Sequence, residues 1–203
     1  FNLPTDQFAV VSGPSHAEEV SLGRVTYLTV ATPVRMLGEA IAGYIQNEYI
    51  HPVLSADVAG VEYAGVLKNI YTVGAGVALG LGYGDNFLAV YVGGCLREMD
   101  AYLQTVRPGA HPDLTHSVYL GDFLTTAYSP FSRNRKLGLL IGQGMTPAQA
   151  LANMQMVAEG YFATRIMVEA HRLDFPIART IYDLLYADAA PRIAMRNLEF
   201  ILR

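Results

Sequence analysis

The sequence predicts a mainly α protein, an all-helical domain preceded by a short α/β remnant, and three observations carry that reading. β-Branched runs bounded by turn residues occur only before residue 56. After Ser55 nearly every segment repeats its apolar residues with a period of 3.6, punctuated by Gly, Pro or Asp. Between Glu62 and Asp85 the only charged side chain is Lys68, so a helix there is apolar nearly all round and belongs in a core. The expected division is residues 1–56, the end of an α/β domain, and residues 57–203, all helix.

The elements follow in order. Phe8 to Ser12 (FAVVS) is a short buried strand that runs into the turn Gly13-Pro14-Ser15 and a helix start. Ser15 is placed to cap that helix, with Glu18 three residues on as its capping-box partner. Tyr27 to Thr32 is a second strand, and Pro33 opens an amphipathic helix to about Gln46. Tyr49 to Leu54 is a third, with Pro52 placing it at an edge or an end. This is the closing third of an α/β sheet, without the first strand and Gly-rich turn of a dinucleotide fold. Helices are then expected at about 57–80, 86–106, 112–127, 133–142, 146–153, 159–173, 177–187 and 191–202. Gly80-x-Gly82-x-Gly84 follows a helix, where a nucleotide fingerprint must follow a strand, so it reads as a helix stop and turn.

Composition narrows the function classes. A charged content of 16% against 52% apolar is lean for a free monomer, which implies a partner surface, a homodimer among the expectations. A net charge of −4 with no basic stripe argues against nucleic acid. The run Val58 to Leu81 is long enough to span a membrane, but Glu62, Lys68 and its glycines argue against that. One cysteine, Cys95, excludes an internal disulfide framework and agrees with a reducing, cytoplasmic compartment. Phe1 stands where Met would begin a chain and no secretory signal is visible, so a piece of a longer protein is expected.

Two stretches carry chemistry. On the face of Lys68 lie Val61, Ala64, Gly65, Tyr71, Thr72 and Ala75, four of them small, which leaves room around the ammonium. A lysine on a buried helix must meet an anion or a hydrogen-bond partner, and beside Asn69 it reads as an acid/base group; the alternative is a lysine that snorkels to the surface. In the second stretch, Gly121 to Lys136, Ser132 can cap the helix that Arg133 begins, but Arg133, Arg135 and Lys136 crowd its positive end. A bound anion reverses that penalty, so Arg133 and Asn134 make a phosphate site; a solvated basic turn is the alternative. Asp122 is the nearby carboxylate able to orient an ammonium or a hydroxyl, or simply to cap a helix. The five histidines lack metal-ligand spacing, so no metal is expected, and Met145, Met154, Met156 and Met167 read as packing.

Gly13-Pro14-Ser15-His16-Ala17-Glu18-Glu19, Gly60 to Asn69 (GVEYAGVLKN), Gly121-Asp122, Ser129 to Arg135 (SPFSRNR) and Val157-Ala158-Glu159-Gly160 form an ordered series. The series resembles bacterial NAD(P)-dependent glycerol-3-phosphate dehydrogenase from about residue 9 to the C-terminus. The resemblance implies a Rossmann domain followed by an all-α substrate domain of the 6-phosphogluconate dehydrogenase C-terminal type. It puts the proton-transferring lysine on Lys68 with Asp122 beside it in a catalytic role, and substrate contacts on Gly13, Ser15, Asn69, Thr126, Ser132, Arg133 and Asn134. Contacts to NAD or NADP fall on Ala17, Arg133, Val157 and Glu159. It implies reversible reduction of dihydroxyacetone phosphate to sn-glycerol 3-phosphate for glycerophospholipid synthesis, with Lys68 donating the proton, Asp122 holding Lys68 and the substrate hydroxyls, and Arg133 with Asn134 clamping the phosphate. The front of the Rossmann domain has no counterpart here, so the chain alone is expected to be inactive. Ala158 stands where relatives carry a second valine, and Val118-Tyr119-Leu120 where they are richer in glycine. Another two-domain β-hydroxyacid dehydrogenase and a non-catalytic helical dimerisation module stay open as other readings.

Overall fold

A computed structural model describes residues 4–203, which divide into two compact units. One comprises the chain through Gly65 together with Ala110–Thr125; the other comprises Val66–Gly109 and Thr126–Arg203.

The first unit is built on a three-stranded sheet of order β1 (Val10–Ser12), β2 (Thr26–Ala31), β3 (Ile50–Ser55). β1 runs antiparallel to β2, with Val11 opposite Val30, and β3 runs parallel to β2, with Val30 opposite Leu54. The parallel pair needs a crossover, which α2 (Arg35–Ile45) supplies. Gly38 lets α2 lie close to the sheet: a Cβ there would stand 3.1 Å from Thr32 and 3.3 Å from Leu54. Pro52 is tolerated because β3 is an edge strand among the described residues.

Helix α1 (Ala17–Ser21) departs from the expected cap. Its N-cap is His16, without a capping side chain, because the Ser15 hydroxyl turns back to donate to the Gly13 carbonyl at 3.0 Å. α3 (Val58–Gly80) is capped instead by Asp57, whose Oδ1 accepts from the Gly60 amide at 2.9 Å and whose Oδ2 accepts from the Tyr119 hydroxyl at 2.8 Å. The helix expected from residue 112 begins later. Asp113 accepts from both the amide and the hydroxyl of Thr115, which fixes a turn in place of a helical start. A π-helical turn, Ser117–Gly121, then leads into α5 (Asp122–Tyr128).

The second unit is all helix: the rest of α3, α4 (Asp85–Val106), the end of α5, α6 (Arg133–Gly142), α7 (Pro147–Ala152), α8 (Glu159–Glu169), α9 (Pro176–Tyr186) and α10 (Pro191–Ile201). α3 is its core, with Leu67, Ile70, Tyr71, Val73, Val77 and Ala78 fully buried. Its glycines answer a packing need. A Cβ on Gly76 would stand 2.1 Å from the Arg135 carbonyl and one on Gly80 2.4 Å from that of Leu139. From the facing helix, a Cβ on Gly138 would meet the Val73 carbonyl at 1.9 Å and one on Gly142 the Val77 carbonyl at 2.4 Å. The two backbones touch, so four positions exclude every side chain. Gly82, with φ of +89°, ends α3, and Gly84 caps α4, so the Gly-x-Gly-x-Gly run is a helix stop.

The cap of α9 comes from elsewhere in the sequence. Phe175 offers it no capping side chain, and buried Glu98 of α4 accepts from the amides of Ile177 and Ala178. Of the four methionines read as packing, Met156 is exposed. Cys95 is fully buried and burial pushes its thiol well above the ordinary range, which makes it an inert core residue.

Candidate active site

In the first unit, Gly13 follows β1 with φ of +139°, and a Cβ there would lie 2.7 Å from the Tyr27 carbonyl, so only glycine turns the chain away from the sheet at this point. Ser15 and Ala17 come directly after it and are exposed. Asp122, the first residue of α5, is 2% exposed, and its Oδ2 accepts a long bond from the Ser12 hydroxyl at 3.4 Å. His16 faces the Thr125 carbonyl through Nε2 at 3.3 Å, a contact that is a hydrogen bond in the form protonated at Nε2, since a carbonyl only accepts. Thus Gly13, Ser15, Ala17 and Asp122 share this unit. Ser12, the polar residue that closes an apolar strand, escaped the reading of the sequence.

The second unit holds Lys68, Asn69, Thr126, Ser132, Arg133, Asn134, Val157 and Glu159. Ser132 caps α6 as expected, its hydroxyl accepting from the Arg135 amide at 3.3 Å, and this leaves Arg133 exposed as the first helical residue. Asn134, the second, points inward and is 7% exposed. Its Oδ1 accepts from the Gly160 amide at 2.9 Å, and its Nδ2 donates to Oδ1 of Asn69 at 2.8 Å. Nδ2 of Asn69 in turn donates to Oε2 of Glu159 at 3.3 Å. Three helices are tied by this chain of bonds: α3 through Asn69, α6 through Asn134, and the start of α8 through Glu159 and Gly160. Their approach is close, since a Cβ on Gly160 would stand 2.4 Å from the Asn69 carbonyl.

Lys68 and Arg133 each lie one residue from the bonded Asn69–Asn134 pair, which brings their backbones, on α3 and α6, close together. Lys68 is half-buried, between the enclosed lysine and the snorkelling lysine that the sequence left open. Thr126 is buried, while Val157 and Glu159 are exposed at the start of α8 beside buried Ala158. An arginine at a helix N-terminus, a lysine and two amides that each, among the described residues, commit one of two N–H groups are the kinds of donor that an anionic oxygen-rich molecule requires.

The family described as the NAD-dependent glycerol-3-phosphate dehydrogenase C-terminus matches residues 57–196. The chain belongs to this family. Glycerol-3-phosphate dehydrogenase (NAD(P)+) 1 of Salinibacter ruber is 36% identical over 201 residues, covering 97% of this chain and 58% of that protein. The enzyme of Pelotomaculum thermopropionicum is 37% identical over 198 residues, covering 95% of this chain and 56% of its own length. Among solved structures, glycerol-3-phosphate dehydrogenase from Coxiella burnetii matches with a TM-score of 0.87 and 29% identity, over 94% of this chain and 59% of that one. The chain therefore spans a little over half the length of these relatives, and its helical fold is that of the glycerol-3-phosphate dehydrogenases. No helix among the described residues is long and apolar enough to cross a membrane.

Proposed function

We propose that this chain forms the substrate part of a cytoplasmic NAD(P)-dependent oxidoreductase that interconverts dihydroxyacetone phosphate and sn-glycerol 3-phosphate, and so feeds glycerophospholipid synthesis. The observation that carries the proposal is the bonded Asn69–Asn134 pair, with Lys68 adjacent to one amide and Arg133 to the other. Arg133 and the start of α6 hold the phosphate; Ser132, by capping that start, fixes where the free amides point. Asn69, Asn134 and Thr126 donate to the remaining oxygens. Lys68 donates the proton that the carbonyl oxygen needs as it becomes an alkoxide, and takes it back in the reverse direction.

When bound, NAD or NADP supplies or accepts the hydride. The residues present fit part of such a group: Val157 offers an exposed apolar contact, and Glu159 and Arg133 offer hydrogen-bonding groups open to solvent. Ala17, Gly13, Ser15 and Asp122 of the first unit keep the roles that the resemblance assigns them. In this reading the α/β end is residues 1–56 and the substrate part residues 57–203, of which 57–65 and 110–125 pack within the first compact unit. The apolar surface left on α8 and α10, Phe162, Ile166, Ile193 and Phe200, suits a homodimer.

The test is a titration of the chain with sn-glycerol 3-phosphate, and separately with glycerol, followed by calorimetry. Saturable binding of the phosphorylated compound alone is expected. Arg133→Ala should weaken it by about 1.5–3 kcal/mol, on the order of 10–100-fold, as for a charge-assisted contact. Equal binding of glycerol and its phosphate, or an unchanged affinity in the variant, would refute the clamp.

A further inference from the structure

A carboxylate beside an anion site is an electrostatic liability, yet Glu159 stands at the end of the bond chain that includes Asn69 and Asn134. The direction of that chain resolves the conflict. A backbone N–H can only donate, so the atom of Asn134 that meets the Gly160 amide is its carbonyl oxygen, and its nitrogen is turned toward Asn69. Asn69 must answer with its own oxygen, which turns its nitrogen outward, and an ionised carboxylate, which can only accept, receives it there. Residues 159 and 160 thus hold both ends: a donor that cannot flip and an acceptor that cannot donate. Among the described residues, these bonds occupy each amide's carbonyl oxygen and one of its two N–H groups.

We infer that Glu159 is a positioning and specificity-determining residue, which fixes the amides of Asn69 and Asn134 so that they present N–H donors to an acceptor-rich ligand, a phosphate monoester. The inference rests on the phosphate reading above. Asn69 engages Oε2 of Glu159, which leaves use of Oε1 compatible with the cofactor contact that the family resemblance assigns to this residue.

The experiment separates charge from alignment by comparing Glu159→Gln with Glu159→Ala in the full chain. Both variants lose the negative charge, but only the glutamine can still accept from Asn69. Two quantities are read: the side-chain NH2 resonance of Asn69 in the ligand-free chain, and the dissociation constants of sn-glycerol 3-phosphate and inorganic phosphate. The glutamine variant should retain the Asn69 resonance and bind both ligands at least as tightly as the parent. The alanine variant should move the resonance and bind about 3–10-fold more weakly than the glutamine variant, the size of one net hydrogen bond. Equal affinities in the two variants, or an Asn69 resonance unmoved by the alanine, overturns the inference. If the parent binds neither ligand, the phosphate reading falls, and the resonance still decides whether Glu159 aligns the amides.

Discussion

At the scale of single residues, the proposed roles assign stability and chemistry to different neighbours. Asn134 is buried and is the acceptor for the Gly160 amide, so Asn134→Ala leaves a buried N–H without a partner and should cost about 1–3 kcal/mol in urea unfolding. Lys68 is half-buried, and Lys68→Ala should cost no more than about 0.5–1 kcal/mol in the same measurement. On the proposal that Lys68 donates the proton, however, the same variant in the full-length protein should lose on the order of 10²–10³ in turnover, the usual effect of one donor to a developing oxyanion. A lysine variant that is less stable than the asparagine variant, or one that turns over normally, would contradict this division. The difference in legibility has a physical origin. Lys68 is visible in the sequence because one charge in an apolar helix has to be explained, and Ser132-Arg133-Asn134 because cations crowd a helix start. The Gly160 amide is invisible because every residue except proline carries one, and its partner lies 26 positions away.

At the scale of elements, the 3.6-residue period and the Gly and Pro breaks gave the helices within a few residues, because apolar burial decides where a helix runs. What the period does not encode is side-chain competition at the ends. The Ser15 hydroxyl bonds backward and delays α1, and Asp113 ties Thr115 into a turn ahead of the π-helical segment. Nor does a glycine count distinguish room for a lysine from contact between helices. Two substitutions separate these cases. Gly138→Ala would put a methyl 1.9 Å from the Val73 carbonyl, and as backbone cannot yield like a flexible side chain, a loss of at least about 3 kcal/mol is expected, enough to prevent folding of a marginal chain. Gly43→Ala, in α2 with nothing within 4 Å of the added methyl, should stabilise by about 0.5–1 kcal/mol through the unfolded state. Thermal melts of both variants check the pair, and a tolerated Gly138→Ala would mean that α3 and α6 are not in backbone contact.

At the scale of the whole molecule, the buried charge most exposed to pH is one that sequence patterning gave no reason to single out. Glu98 lies on α4 and serves α9, 79 and 80 positions along the chain, so no local signature links donor and acceptor. Burial raises its carboxyl above the ordinary 4.5, and the two α9 amides and the Tyr71 hydroxyl pull only partly the other way. Because the folded state holds this proton more tightly than the unfolded state, the associated stability is complete below the unfolded value of 4.5 and is lost as pH rises through the higher folded value. Glu98→Gln removes the titration while keeping one acceptor for α9. The stability of the parent minus that of the variant should therefore fall as pH rises above the unfolded value of 4.5, and the variant should still be the weaker of the two at neutral pH by about 1–3 kcal/mol, since its amide can satisfy only one of the two α9 amides. Urea unfolding of both proteins across that rise in pH is the check. A difference that grows with pH would mean that Glu98 is charged more readily in the fold than out of it, and that the α9 amides outweigh the cost of burying it.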